Sequence, residues 1–295
     1  LNEYRTWMFV PGSDEKKLQK AGSLTADVLI YDLEDAVSPD EKEMARTRVR
    51  KAIDLHANKV NFVRINSYHS PYFYEDLTNV LRAGVSGIVL PKAETSEQIV
   101  FLDRIISELE TKRNMDSCQI KIVPIIESAL GVHHAFEIAS ASPRVIRMAF
   151  GSMDFALDIR ADLTKSGMEL LYARSHLVIA SKAAGIEGPI DTVYVDIKDC
   201  DGLLKETTLI KQLGFHGKLI IHPDQIELVN QVFAPTKEEI EEAERLVKAF
   251  ERSLENGSGV LQLDGKMVDL PIVDRARRIL QSAGVHSSKG LRMGD

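Results

Sequence analysis

The sequence has no run approaching the roughly 20 consecutive apolar residues that a bilayer crossing requires, and its first residues carry no basic segment followed by an apolar signal core. Membrane insertion and secretion are therefore not expected, and the expected location is the cytoplasm. Cysteine is scarce: Cys118 and Cys200 are the two present, in no CxxC or Cys/His zinc spacing. So few thiols in a chain of 295 residues point to a reducing compartment and to structural, unreactive sulfurs. Positive charge is not in excess either. The formal net charge of −7 gives no electrostatic reason to expect nucleic acid or an anionic membrane surface as partner. No G-x-G-x-x-G follows the first apolar run, where Pro11-Gly12-Ser13 stands instead, so a dinucleotide fingerprint is missing. Low-complexity segments and a duplicated half are also absent. Because residue 1 is Leu rather than Met, the natural start is expected to differ slightly.

What is present is an apolar share of 44%, enough for a large core, arranged in eight short runs at residues 6–10, 28–33, 61–65, 87–90, 121–126, 146–150, 192–195 and 219–221. Their apolar character is continuous rather than alternating, which predicts strands covered on both faces, as in a parallel sheet. Between them, helical periodicity recurs. Residues 39–56 place Ala45, Val49, Ala52 and Ile53 on one face, residues 96–109 place Ile99, Leu102, Ile106 and Leu109, and residues 169–184 place Leu170, Ala173, Leu177 and Ala180. Eight strand–helix repeats predict an α/β fold of the (β/α)8 TIM-barrel type over residues 1–234, with a doubly wound open sheet as the alternative. After Pro235 the pattern changes. Thr236 and Glu239 have capping-box spacing and open a charged helix running to about Asn256-Gly257. Residues 235–295 form a C-terminal extension: this helix, an appendage at 260–280 centred on Gly265-Lys266-Met267-Val268-Asp269-Leu270-Pro271, and a polar tail from Ser282.

Two of the runs close on acids, Ile125-Ile126-Glu127 and Phe150-Gly151-Ser152-Met153-Asp154. Strand carboxyl ends are where barrel enzymes keep their active sites. On neighbouring strands, Glu127 and Asp154 can converge as two carboxylates with positions left for water and substrate, which suits a hard cation such as Mg2+. Zinc is disfavoured, because no histidine lies beside either acid at ligand spacing. Taken singly, each acid could equally cap the helix that follows. Arg64 ends the third run and can hold a carboxylate or an enolate oxygen, or can form a structural ion pair with Asp32, Glu34 or Asp35. Three acids in four positions repel one another unless cations balance them, which places Asp32 and Glu34 behind Arg64 as orienting groups. Lys92 ends the fourth run. It can pair with these acids or act as a Schiff-base nucleophile. His222 after the eighth run is either a general acid/base or a packing residue, and the adjacent His133 and His134 point to different helix faces, so they make no joint metal site. Near the start, Lys16, Lys17 and Lys20 open a helix capped by Ser13 and can meet the phosphates of a nucleotide-tailed ligand or form a solvated basic face.

Together these residues resemble a known family, the citrate lyase beta subunit and its acyl-CoA lyase relatives (malyl-CoA and citramalyl-CoA lyases) within the HpcH/HpaI aldolase group. The likeness covers nearly the whole chain. It is carried by Phe9-Val10-Pro11-Gly12, Asp32-Leu33-Glu34-Asp35-Ala36-Val37, Val63-Arg64-Ile65-Asn66, Leu90-Pro91-Lys92, Ile126-Glu127-Ser128 and Gly151-Ser152-Met153-Asp154. It continues in Asp191-Thr192-Val193-Tyr194, Gly214-Phe215-His216-Gly217-Lys218, Ile221-His222-Pro223 and Gly265-Lys266-Met267-Val268-Asp269-Leu270-Pro271.

The resemblance implies a barrel holding Mg2+ through Glu127 and Asp154, with Arg64 on the oxo-acid part of the substrate and Asp32, Glu34 and Lys92 in support. Coenzyme A would lie near Phe9, Pro11, Gly12, Lys16 and Lys17. It also implies that the extension acts as a lid over a neighbouring subunit and delivers Asp269 as acid/base, in a homo-oligomer such as a trimer or hexamer. The implied reaction is cleavage of a 3-hydroxyacyl thioester, citryl-, citramalyl- or malyl-CoA, into a 2-oxo acid and an acetyl thioester, or the reverse Claisen condensation. Two alternatives remain. One is the beta subunit of a citrate lyase complex, working with alpha and acyl-carrier subunits on a carrier thioester; the other is a non-catalytic acyl-CoA or 2-oxo acid binding protein.

Overall fold

The computed structural model describes residues 4–255, 257 and 259–284. The chain divides between Phe233 and Ala234 into two compact units. In the first, strands and helices alternate: β1 (Thr6–Pro11), α1 (Glu15–Lys20), β2 (Val28–Asp32), α2 (Lys42–Leu55), β3 (Val60–Arg64), α3 (Phe73–Val80), β4 (Gly87–Leu90) and α4 (Ser96–Lys112). There follow β5 (Lys121–Ile126), α5 (Ala129–His133), α6 (Ala135–Ser140), β6 (Ala149–Phe150), α7 (Ser152–Asp158), α8 (Leu171–Ala183), β7 (Ile190–Asp191), α9 (Cys200–Leu213), β8 (Gly217–Ile220) and α10 (Gln225–Phe233). The eight strands pair in sequence order, and β1 closes onto β8 through Thr6–Lys218, Trp7–Leu219 and Met8–Ile220. This is a closed, parallel TIM barrel, and the closure excludes the open sheet.

Two cores hold it. Strand residues pointing inward, among them Trp7, Ile30, Phe62, Val89, Val123 and Ile125, fill the barrel, with the Trp7 and Phe62 rings edge to face at 5.0 Å. Gly87 makes room for this layer: a Cβ there would collide with the Phe62 ring and the Lys121 carbonyl. Residues pointing outward, such as Leu29, Tyr31 and Ile88, pack under the apolar helix faces built by Val49, Ile53, Leu102, Ile106 and Leu177. Strands buried on both faces explain the continuous apolar runs.

The sixth to eighth strands differ from expectation. The sixth segment pairs Val145 with Ile122 but Ala149 with Ile125, so one extra residue is accommodated and the ladder is interrupted before Ala149. Arg147, inside this bulge, donates to the Tyr4 carbonyl. The seventh strand is Ile190–Asp191 rather than 192–195, because Asp191 is tied into a buried ion cluster and Thr192 turns its hydroxyl to Ser152. The apolar Val195 beyond it is exposed. The eighth begins two residues earlier than expected, with the buried Lys218 inside it.

The second unit consists of α11 (Lys237–Glu255), the antiparallel pair β9 (Leu261–Leu263) and β10 (Lys266–Val268), and α12 (Leu270–Ser282). A reciprocal capping box starts α11, with Thr236 N–H donating to Glu239 and Glu239 N–H to the Thr236 hydroxyl. Ala243, Val247, Phe250, Val268, Val273, Ala276 and Leu280 form its own apolar core. Asn256 and the tail from residue 285 onward lie outside the described residues.

Candidate active site at the barrel mouth

At the carboxyl ends of β2 to β6 the structure brings together Asp32, Glu34, Arg64, Lys92, Glu127 and Asp154. Asp32 is the last residue of β2 and Arg64 the last of β3, in register with each other. The Arg64 guanidinium grips Asp32 with two bonds, Nε to Oδ1 and Nη2 to Oδ2, both 2.7 Å, and its Nη1 lies 3.1 Å from Glu34 Oε2 and 3.6 Å from Asp35. The Phe9 ring lies 4.7 Å from the guanidinium carbon, a cation–π contact that holds its other face. Burial would raise the Asp32 carboxyl, but Arg64 and the amides of Glu34 and Ala36 outweigh it and hold the group below its ordinary range. Burial also dominates at Glu34. Opposed by Arg64 and reinforced by Asp35, it leaves this carboxyl above the ordinary range.

Glu127 follows β5 and is buried. Its Oε1 accepts the main-chain N–H of Lys92 at 2.7 Å. Desolvation first, then the charges of Glu34 and Asp154, push its carboxyl up to about 8. Asp154 stands in the first turn of α7 and faces the same cavity. Between these acids the chain must be glycine, since a Cβ on Gly151 would run into the Glu127 carboxylate. Among the described residues no group of three or more His, Cys, Asp or Glu side chains converges as ligands. The donor set is a carboxylate pair, with a charge deficit at Glu127 that a cation would relieve. Two hard oxygen donors beside an open cavity fit Mg2+, which keeps water or substrate in its remaining positions.

The cavity measures about 700 Å³ and is lined by Asp32, Arg64, Glu127 and Asp154 together with Phe9, Pro11, Lys17, Lys20, Thr192 and His222, while Glu34 and Lys92 stand behind this lining. Lys16 lies elsewhere, in a separate depression beside Ser13 and Glu41. Gly12 is buried and donates to the Asp32 carbonyl at 2.9 Å, so it braces β2. Ser13 does not cap α1: Asp14 does, accepting from Lys17 N–H, while the Ser13 hydroxyl donates to the Ala36 carbonyl. His134 bonds the Glu94 carbonyl and stays outside the cavity lining. Asp269 belongs to the second unit, where it caps α12 by accepting from Ile272 N–H.

Sequence reasoning missed Lys42, whose buried ammonium donates to the carbonyls of Leu33 and Glu34 and to Asn66 Oδ1 and so fixes the acidic loop from beneath. A lysine in the first turn of a charged helix gives no signal of burial. It also missed the pairing of the Ser152 and Thr192 hydroxyls, 2.9 Å apart.

With the mouth assembled, comparison with known proteins decides the family. Residues 5–223 match the HpcH/HpaI aldolase/citrate lyase family, and residues 172–288 match the C-C bond lyases of the TIM-barrel fold. The chain belongs to the HpcH/HpaI aldolase/citrate lyase family. Relatives within it are named as lyases. The citrate lyase subunit beta of Leuconostoc mesenteroides subsp. cremoris is 41% identical over 284 residues, covering 96% of this chain and 94% of the relative. The mitochondrial citramalyl-CoA lyase of Rattus norvegicus is 36% identical, covering 95% and 86%. Among solved structures, the CitE protein of Mycobacterium tuberculosis in complex with magnesium, acetoacetate and coenzyme A superposes with a TM-score of 0.79 at 29% identity, covering 96% of this chain and all of that one.

Proposed function

We propose that the barrel mouth cleaves a 3-hydroxyacyl thioester, such as citryl-, citramalyl- or malyl-CoA, into a 2-oxo acid and an acetyl thioester, and joins them in the Claisen direction, with Mg2+ as cofactor. The observation that carries this reading is the carboxylate pair Glu127 and Asp154 opposite Arg64 in one cavity, in a chain whose relatives are named as lyases of such substrates and whose structural neighbour was solved with magnesium and coenzyme A. Glu127 and Asp154 would hold the cation. Magnesium, when bound, supplies Lewis-acid polarisation of the substrate's hydroxyl and carboxylate oxygens.

Arg64 pairs with the carboxylate of the 2-oxo acid and offsets charge on the thioester enolate as the carbon–carbon bond breaks. Asp32 and Glu34 keep its guanidinium oriented for this task. The 3-hydroxyl gives up its proton to solvent as it becomes the carbonyl, and Asp269, delivered by the second unit of a neighbouring copy in a homo-oligomer, donates the proton that turns the enolate into the acetyl group and removes it in the reverse direction. Lys17 and Lys20 at the cavity edge meet the phosphates of coenzyme A in a cytoplasmic enzyme. The 41% identity to a citrate lyase beta subunit favours a second reading, in which the thioester is carried by an acyl-carrier subunit of a complex.

The test is 2-oxo acid release from citryl-, citramalyl- and malyl-CoA by the purified protein, with and without chelator. Turnover that needs Mg2+ and disappears in Glu127→Ala supports the stand-alone lyase and names its substrate. Turnover that survives the chelator overturns the metal role, and turnover of a carrier-linked ester alone replaces the first reading with the second.

A further inference from the structure

Lys92 is one of the few non-glycine residues in the left-handed backbone region, at φ +52° directly after β4. That conformation is unfavourable for a residue with a Cβ, and neither Gly nor Asn, which tolerate it better, stands there. Strain of this kind persists where the surroundings enforce it, often at functional sites. Here the turn aims the Lys92 N–H at Glu127 Oε1, 2.7 Å away, while the next amide, Ala93, continues the ladder to Ile125 at 3.1 Å. The side chain runs the other way. Its Nζ reaches Glu34 Oε1, 3.1 Å away, leaving Oε2 of the same carboxylate to the Arg64 guanidinium at 3.1 Å. One residue just past β4 thus touches an acid from the end of β5 with its main chain and an acid from beyond β2 with its side chain.

We propose that Lys92 is a two-ended positioning residue, its strained amide fixing the Glu127 carboxylate and its ammonium fixing Glu34, so that the two acids are held apart across the mouth. A lysine serves where glycine would suit the backbone, because only a long cation can also reach Glu34. The metal consequence rests on the Mg2+ reading above: Glu127 aimed by the amide is the preorganised half of the carboxylate pair.

Two measurements test the clamp separately from that reading. Metal-free, the residue 92 amide is protected from hydrogen exchange in the wild type and exchanges roughly tenfold faster in Glu127→Ala; unchanged exchange overturns the amide half. In calorimetric Mg2+ titrations, Lys92→Gly, Lys92→Ala and Lys92→Val all lack the ammonium and differ in how readily they adopt positive φ. Affinity is expected to fall in that order, with roughly a tenfold span, while Lys92→Arg stays near wild type. Thermal midpoints recorded alongside separate misfolding from misaiming, and the Gly–Ala pair suffices if the valine variant fails to fold. Equal affinities across the series overturn the proposal. A wild type that binds no Mg2+ sinks the metal reading instead, and the exchange experiment then decides the clamp.

Discussion

The barrel holds two clusters of charge built from the same residue types and put to opposite uses. Between β7, β8 and the helices α8 and α9, Arg174 forks onto Asp191 at 2.8 and 2.9 Å and reaches Glu206 at 3.0 Å, while Lys218 bonds Asp191 at 3.0 Å, Glu206 at 2.7 Å and the Thr192 carbonyl at 2.9 Å. Two cations meet two anions there, and Arg174, Asp191 and Lys218 are sealed from solvent. Although burial would raise Asp191, Lys218 and Arg174 hold it below its ordinary range. At the mouth, Arg64 and Lys92 face Asp32, Glu34, Asp35, Glu127 and Asp154, and burial first, then the negative charges of Glu34 and Asp154, leave Glu127 an acid that resists ionisation. The difference teaches how to tell structural from functional charge. A cluster that neutralises itself supports the fold, whereas one left short of positive charge beside a cavity awaits a cation.

The contrast can be broken in order of effect on stability. Asp191→Asn leaves Arg174 and Lys218 buried with one acid fewer, and should cost about 3–5 kcal/mol, read as a lowered urea midpoint. A loss under about 1 kcal/mol would show that the cluster is not structural. Glu127→Gln should act in the opposite direction in metal-free protein. The folded Glu127 pKa of about 8 lies above its ordinary 4.5, so the fold prefers the protonated form. The contribution of Glu127 to wild-type stability is then complete below pH 4.5 and is lost as pH rises through 8, a dependence the Gln variant should lack. At pH 8 the variant should be the more stable by on the order of 2–4 kcal/mol, and added Mg2+ should stabilise the wild type alone.

Arg64→Lys keeps the charge but loses the two-bond fork, which should cost about 1–2 kcal/mol of stability and roughly 10²-fold in turnover; intact turnover would remove Arg64 from the chemistry. Asp269→Asn should be the mildest for folding, within about 0.5 kcal/mol, because Asn caps a helix as well as Asp. Its turnover should nonetheless fall by at least about 10²-fold, and full activity would leave Asp269 as a cap and nothing more.

Much of this arrangement was legible in the chain. Continuous apolar runs separated by helical periodicity predict eight two-sided strands, because a strand covered on both faces has no polar face to show. Runs closing on Asp32, Arg64, Lys92 and Glu127 predict a mouth lined with charge, because parallel closure places every strand's carboxyl end on one side. The misses have a common origin. Apolarity alone predicts the seventh strand at Thr192–Val195, but the ladder stops at Asp191, where a charged residue is buried. Lys218 and Lys42 are buried with no local signal of it, because their partners, Asp191, Glu206 and Asn66, come from distant segments.

The sequence by itself determined the repeat, the barrel and the set of acids at its mouth, since these follow from local periodicity and from residues at strand ends. Only the tertiary structure decided which charges compensate one another. The balance at Asp191, the deficit at Glu127 and the left-handed turn that lets Lys92 touch two acids at once all depend on distances between strands far apart in sequence, and charge interactions are settled by distance and burial.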